Sequence, residues 1–258
     1  MITLTGYKIE IELHKGNKSI VYRGEKSGKP VVIKYLNEEY PTQQELESFR
    51  KEFDFLQQIS LPCVVKPISF EKYKHSPVLV FEDIQGKSLR ELLKEKEKFS
   101  IPEFLEIAIL AVKALGEIHE LGVVHKDIKP HNLIYNPDTK VLKIIDFGHA
   151  TLLTREKPSI NTRNLEGLLS YISSEQTGRM NRSIDYRTDY YSLGVTFYQM
   201  IVGILPFPSK NPMELVYAHL AKKPVPPTDI SVLSDIILKL LEKNPEDRYQ
   251  SANGILHD

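Results

Sequence analysis

The chain has 258 residues, 41% of them hydrophobic, enough to bury a core as one large domain or two lobes, which excludes an intrinsically disordered chain. Lys plus Arg and Asp plus Glu both total 34, so the formal net charge is zero, no bulk field favours nucleic acid or an anionic membrane, and any anion site is local. The one cysteine, Cys63, excludes an internal disulfide and suits a reducing cytoplasm.

The N-terminus, MITLTGYKIEIE, lacks a basic segment followed by an apolar one and does not read as a secretory signal. Three strand-like runs follow, YKIEIEL, SIVYRG and KPVVIKYL, the first two joined across HKGNK as a hairpin. The period then changes. From Thr42 to Ile59, Leu46, Phe49, Phe53 and Leu56 recur at three- and four-residue spacings, which predicts an amphipathic helix stopped by Pro62. SPVLVFEDI predicts a further strand. Helices are expected over Ser88–Lys98, Ile101–Leu121, Asp185–Gly203, Pro212–Lys222 and Leu233–Lys243, interrupted by the short β-like pieces NLIYN and VLKIIDF. The order predicts an α+β fold: a small sheet-plus-helix lobe, a break at the DIQG turn, then a larger helical lobe. The run YYSLGVTFYQMIVGILPF carries Gly194, Gln199, Gly203 and Pro206 and falls short of the roughly 20 residues a membrane span needs, so it reads as a buried core helix and no membrane insertion is expected. KEKEK at Lys94–Lys98 reads as a solvated helix end. His119, His125 and His131 recur every six residues, but that spacing rotates around a helix and matches no metal-ligand pattern.

Three segments carry the chemistry: VVIK at Val31–Lys34, VVHKDIKPHN at Val123–Asn132 and IIDFG at Ile144–Gly148. In order and spacing, with Glu52 on the first helix four residues before Leu56, they resemble the protein kinase superfamily. The resemblance implies a bilobal kinase-like fold spanning 1–258 as a single domain, with a β-rich N-lobe and hinge over 1–84 and a mainly helical C-lobe over 85–258. It implies that Lys34 holds the α- and β-phosphates of ATP with Glu52 as its helix partner. Asp127 would take or orient the substrate hydroxyl's proton, and Lys129, the serine/threonine form of this motif, would neutralise the transferring phosphoryl group. Asn132 and Asp146 would hold magnesium, or manganese in its place, through hard oxygen ligands. Phe81 would stand at the gatekeeper position, with the backbone of Glu82 and Ile84 available to adenine and Val21, Val32 and Leu133 lining its site. Aligned on Val21, the glycine-rich loop would have glycines at 14, 16 and 19. This chain has His14, Gly16 and Ser19, so the lid keeps one glycine, and Ser19 or the Lys18 ammonium is expected to supplement its grip on phosphate.

Further on, YISSEQ stands in the Ala-Pro-Glu region, with Glu175 expected to pair with Arg248 of PEDRYQS, and Asp189 of DYYSLG expected to cap the catalytic-loop backbone. Lys126 replaces the arginine that usually receives an activation-loop phosphate, and loses its bidentate fork, so control through Thr151, Thr154, Ser159 or Thr162 is not expected. Val32 replaces a smaller alanine, Leu168 a threonine and Ser174 a proline. The stretch EGLLSYISSEQTGRMNRSIDYRTDYYSLGVTFYQM is most similar to serine/threonine kinase domains at the N-termini of large bacterial signalling proteins, which implies a protein substrate and attached ATPase and sensor or histidine-kinase modules. The function expected is phosphoryl transfer from ATP to protein hydroxyls in the cytoplasm; the alternative is a nucleotide-binding pseudokinase acting as a regulatory module.

Overall fold

The computed structural model describes residues 2–16, 18–153, 169–180 and 182–258. The chain divides into two compact units, Met1–Gly86 with Asn136–Gly148, and Lys87–Tyr135 with His149–Asp258.

The first unit is built on a five-stranded antiparallel sheet in the order β1-β2-β3-β5-β4: β1 Tyr7–Lys15, β2 Ser19–Lys26, β3 Lys29–Leu36, β4 Pro67–Tyr73 and β5 Ser76–Glu82. Strand alternation sorts its faces. Ile20, Tyr22, Val31, Ile33, Val78 and Val80 enter one buried cluster with Ile2 and Leu4. Val21 and Val32 therefore belong to the opposite face together with Lys34, with Val21 opposite Lys34 across β2 and β3, and Val32 opposite Phe81 of β5. Gly24 of β2 is required by close approach, since a Cβ there would stand 2.5 Å from the Lys8 carbonyl oxygen beside the β1 bulge. Helix α1, Gln43–Gln57, starts at Thr42, whose hydroxyl accepts from the Glu45 N–H while the Glu45 carboxylate accepts from the Thr42 N–H. Its buried stripe is Phe49, Glu52, Phe53 and Leu56, so a carboxylate lies among apolar side chains.

The second unit is mainly helical. It contains β6 (Lys87–Ser88), α2 (Leu89–Lys96), α3 (Ile101–Glu120), β7 (Val123–Val124), β8 (Leu133–Asn136, its last residue falling in the first unit), β10 (Thr151–Leu152), α4 (Arg187–Val202), α5 (Pro212–Ala221), α6 (Ser231–Leu240) and α7 (Ala252–His257). The remaining strand, β9 (Val141–Ile144), belongs to the first unit. Thirteen of the sixteen residues of α4 are buried, which explains its apolar character all round; no helix among the described residues is long and apolar enough to cross a membrane. Phe104 of α3 meets Phe197 of α4 edge to face at 5.2 Å. Gly194 lets α4 approach α6, because a Cβ there would lie 2.7 Å from Leu240 Cβ. Helix α6 ends at Leu240, earlier than its apolar pattern suggests, since Pro245 keeps Asn244 extended (φ −83°, ψ 130°) and Leu241 already caps the helix. The apolar spacing does not announce α7, which is six residues long and begins where Ser251 Oγ accepts the Gly254 N–H at 3.1 Å.

His219 of α5 is wholly buried, with Nδ1 2.9 Å from the Tyr191 hydroxyl. Burial first, and the Lys243 ammonium second, push its pKa down to about 4, so the fold holds it neutral. The unfolded chain takes up a proton near pH 6.5 that the folded one refuses until about 4, so stability is full above 6.5 and declines as pH falls through that window. The loss is about 2 kcal/mol by pH 5. Urea midpoints should therefore drop between pH 7 and 5 in the wild type, and drop less in His219→Asn.

Candidate active site

The first unit assembles one charged cluster. Lys34, on the sheet face opposite the core, donates to both carboxylate oxygens of Glu52, at 2.9 and 2.8 Å, and to Asp146 Oδ1 at 3.0 Å. α1 places Glu52 there because its other stripe positions, Phe49, Phe53 and Leu56, are apolar and buried, and Lys34 is the cation that a buried carboxylate requires. Burial works against the Lys34 charge, but the Asp146 and Glu52 carboxylates overrule it and hold its pKa above the ordinary lysine range, so it is an ammonium at any physiological pH. Asp146 is delivered by β9, which is stitched to the chain after α1: Ile144 N–H donates to the Cys63 carbonyl at 2.8 Å and Val65 N–H to the Ile144 carbonyl at 3.2 Å. Asp146 itself has φ 65°, a left-handed conformation that costs a non-glycine residue free energy and persists where the surroundings fix it.

Around the same unit, Glu82 and Ile84 lie at and just after the end of β5. The Ile84 carbonyl accepts from Asn136 Nδ2 at 2.7 Å. Asp83 takes Arg23 of β2 through two hydrogen bonds, and Arg23 Nη2 also reaches the Gly86 carbonyl at 3.1 Å, so a guanidinium braces the DIQG segment. The sequence pattern gave no sign of Arg23, whose partner lies 60 residues away. At the hairpin tip, Gly16 N–H donates to the Ser19 carbonyl at 2.8 Å, and a Cβ on Gly16 would stand 3.3 Å from His14 Nε2. Lys18, expected to reach toward phosphate, instead pairs with Glu45 of α1 at 3.1 Å. Glu45 is already fixed by the capping box, and with Lys18 58% exposed the pair is worth at most about 1 kcal/mol.

The second unit holds the other cluster. Asp127, 3% exposed, accepts Lys129 Nζ on its two oxygens at 2.8 and 2.7 Å, and Asn132 Nδ2 on Oδ2 at 2.9 Å. Asn132 Nδ2 also donates to the Asp127 carbonyl at 2.8 Å. That arrangement spends the amide's donors and leaves Asn132 Oδ1 buried without a hydrogen-bond partner, an oxygen free to coordinate a cation. Among the described residues no three His, Cys, Asp or Glu side chains gather as a metal cluster. Leu133 follows Asn132 and is fully buried. Asp189, at the start of α4, caps the loop: it accepts the His125 N–H at 2.8 Å, the Lys126 N–H at 2.7 Å and His119 Nε2 at 2.9 Å. His119 thus supports the cap. Glu175 and Arg248 meet in a buried bidentate pair at 2.7 and 2.8 Å, with Thr188 Oγ1 donating to Glu175 Oε1 at 2.7 Å. Ser174, where the pattern has proline, uses its hydroxyl to donate to the Lys243 carbonyl at 2.6 Å. Leu168, Thr154, Ser159 and Thr162 lie outside the described residues.

A sheet unit with a strand lysine on a helix glutamate, and a helical unit whose Asp-x-Lys-x-x-Asn loop is capped by a helix aspartate, define a protein kinase fold of α+β content. The chain belongs to the protein kinase family, since the protein kinase domain model matches residues 7–258. It is similar to a probable serine/threonine-protein kinase of Clostridium perfringens, 32% identical over 252 residues that cover 95% of this chain and 36% of that protein. A second probable serine/threonine-protein kinase, from Clostridium acetobutylicum, is 32% identical over 260 residues, 98% of this chain and 39% of the relative. The serine/threonine-protein kinase PknB of Mycobacterium leprae is 35% identical over 181 residues, 68% of this chain and 29% of its own length. The chain is thus a kinase domain of the serine/threonine type that spans between about three tenths and two fifths of the length of these relatives.

Proposed function

We propose that this domain transfers the γ-phosphoryl group of ATP, with magnesium, to serine and threonine hydroxyls of a protein, and that it works as the kinase module of a larger bacterial signalling protein. The observation that carries the reading is Asp127, a carboxylate held by Lys129 and Asn132 with one cation-competent oxygen, Asn132 Oδ1, left over beside it. A phosphoryl group in flight spreads negative charge over its oxygens, so catalysis is mostly positioning and electrostatic stabilisation. The substrate hydroxyl oxygen bonds to the γ-phosphorus as the bond to the β-bridging oxygen breaks, ADP leaves, and Asp127 takes the hydroxyl proton. Lys129 neutralises the transferring group. Lys34, kept in place by Glu52, neutralises the α- and β-phosphates. Asn132 Oδ1 in one unit and the Asp146 carboxylate in the other would each offer a divalent cation an oxygen ligand, and that cation would supply charge neutralisation at the phosphates. The backbone of Glu82 and Ile84 offers adenine its hydrogen-bonding groups, Val21 and Val32 offer it apolar side chains from the same unit, and Gly16 and Ser19 belong to the lid. A cytoplasmic location is supported by the use of ATP as donor and by the single cysteine. Attached modules are supported by the share of the relatives' length that this chain occupies and by the YISSEQTGRMNR stretch.

The test is transfer of label from γ-labelled ATP to a generic protein substrate with magnesium, followed by phosphoamino-acid analysis. Label on serine or threonine is expected. Binding of magnesium-ATP without any transfer, in the isolated domain and in the full-length protein alike, would replace this reading with a regulatory pseudokinase.

A further inference from the structure

Lys126, immediately before Asp127, has φ 67°. A residue with a Cβ pays roughly 1–2 kcal/mol in that region, and the conformation persists only where surrounding groups determine it. Two side chains from distant segments do so. The Lys126 N–H donates to Asp189 Oδ1 at 2.7 Å, the cap already described. Its carbonyl accepts from Gln176 Nε2 at 2.9 Å, a contact across 50 residues that the kinase motifs do not include. That carbonyl belongs to the peptide unit joining Lys126 to Asp127, whose other end, the Asp127 N–H, donates to His125 Nδ1 at 3.2 Å. The peptide plane that aims Asp127 is therefore pinned at both ends.

The Gln176 amide has one possible orientation. Its Oε1 accepts from the Ser173 N–H at 3.0 Å and from the Ser173 hydroxyl at 3.2 Å, while Nε2 faces a carbonyl; reversing the amide would set donor against donor and acceptor against acceptor. The turn carrying Gln176, Glu175–Thr177, is itself anchored by the buried Glu175–Arg248 pair. A continuous set of polar contacts thus runs from that brace, through one carboxamide, to the peptide in front of Asp127.

We propose that Gln176 is a positioning residue for phosphoryl transfer, its carboxamide fixing the 126–127 peptide and so the direction of the Asp127 carboxylate. The inference rests on Asp127 as the base. Gln176→Glu keeps the acceptor for Ser173 but replaces the donor to Lys126 with a carboxylate oxygen, and Gln176→Met removes both contacts at similar volume. In each, kcat for a peptide substrate should fall about tenfold while KM for ATP stays within twofold, measured well below a melting temperature that shifts by no more than a few degrees. A kcat within twofold of wild type in both variants, with Asp127→Asn inactive, overturns the role of Gln176 and leaves the base in place. A fall in kcat that follows an equal loss of folded protein overturns it too. Wild-type activity in Asp127→Asn removes the reading beneath it.

Discussion

Asp127→Asn is expected to lower kcat for protein phosphorylation by about two to four orders of magnitude, the range a positioned general base contributes. The amide has the shape of the carboxylate but cannot take up the hydroxyl proton. Its NH2 group would also face donors, since Lys129 Nζ and Asn132 Nδ2 both point at the Asp127 oxygens. Nucleotide binding should survive, because the Lys34, Glu52 and Asp146 cluster belongs to the other unit and does not use Asp127. Steady-state rates with a peptide, beside calorimetric titration with magnesium-ATP, separate the two effects. Equal label incorporation in variant and wild type would remove Asp127 from the chemistry, whatever the affinity.

The second large effect is on stability. Arg248→Ala should cost about 3–5 kcal/mol, because it leaves the Glu175 carboxylate buried without its partner. The arginine, 2% exposed, donates to both Glu175 oxygens and to the carbonyls of Glu242, Arg187 and Lys243 at 2.8, 3.0 and 3.0 Å, and its guanidinium lies 4.9 Å from the Tyr191 ring centroid. For a chain of this length the melting temperature should fall by roughly 10 °C. Arg248→Lys should recover little, since an ammonium cannot reproduce the planar fork. The same pair shapes the acid limb. Burial pushes the Glu175 carboxyl up, but the Arg248 hydrogen bonds and charge overrule it and hold the pKa at about 2. With the folded value below the unfolded one, the stabilisation is complete above about pH 4.5 and is lost as pH falls toward 2, about 3 kcal/mol in all. Urea titrations at pH 6, 4 and 3 should trace that loss in the wild type, and Arg248→Ala should show little of it. A variant melting within 2 °C of wild type would contradict the brace.

Much of this site was legible without coordinates, for identifiable reasons. The 49/53/56 spacing of α1 fixes which face turns inward, whereas Glu52 taken alone reads as a solvated helix charge and only the resemblance to kinases marked it as the partner of Lys34. VVIK alternates on a strand, which sets Val32 and Lys34 on one side. Asp127, Lys129 and Asn132 are five residues apart at most, and their mutual hydrogen bonds are a local matter. Other features were hidden. The segment 136–148 follows the catalytic loop in the chain yet belongs with the first sheet unit. Lys18 lies where a phosphate contact was expected, but Glu45 is its partner, because α1 begins beside the hairpin tip. The evenly spaced histidine His119 finds its role on Asp189, 70 residues on.

The sequence by itself determined which chemical groups the domain possesses and their order: one strand lysine, one helix carboxylate, one Asp-Lys-Asn loop, one Asp-Phe-Gly turn. Periodicity and short-range hydrogen bonding are properties of neighbouring residues, so they are written locally. Only the tertiary structure decided that Arg23 clamps Asp83 and that Gln176 holds the Lys126 carbonyl. Those choices come from which buried donors and acceptors remain unpaired once the elements pack, and a polar group in the interior takes whatever partner the packing brings within 3 Å or so, however distant in the chain.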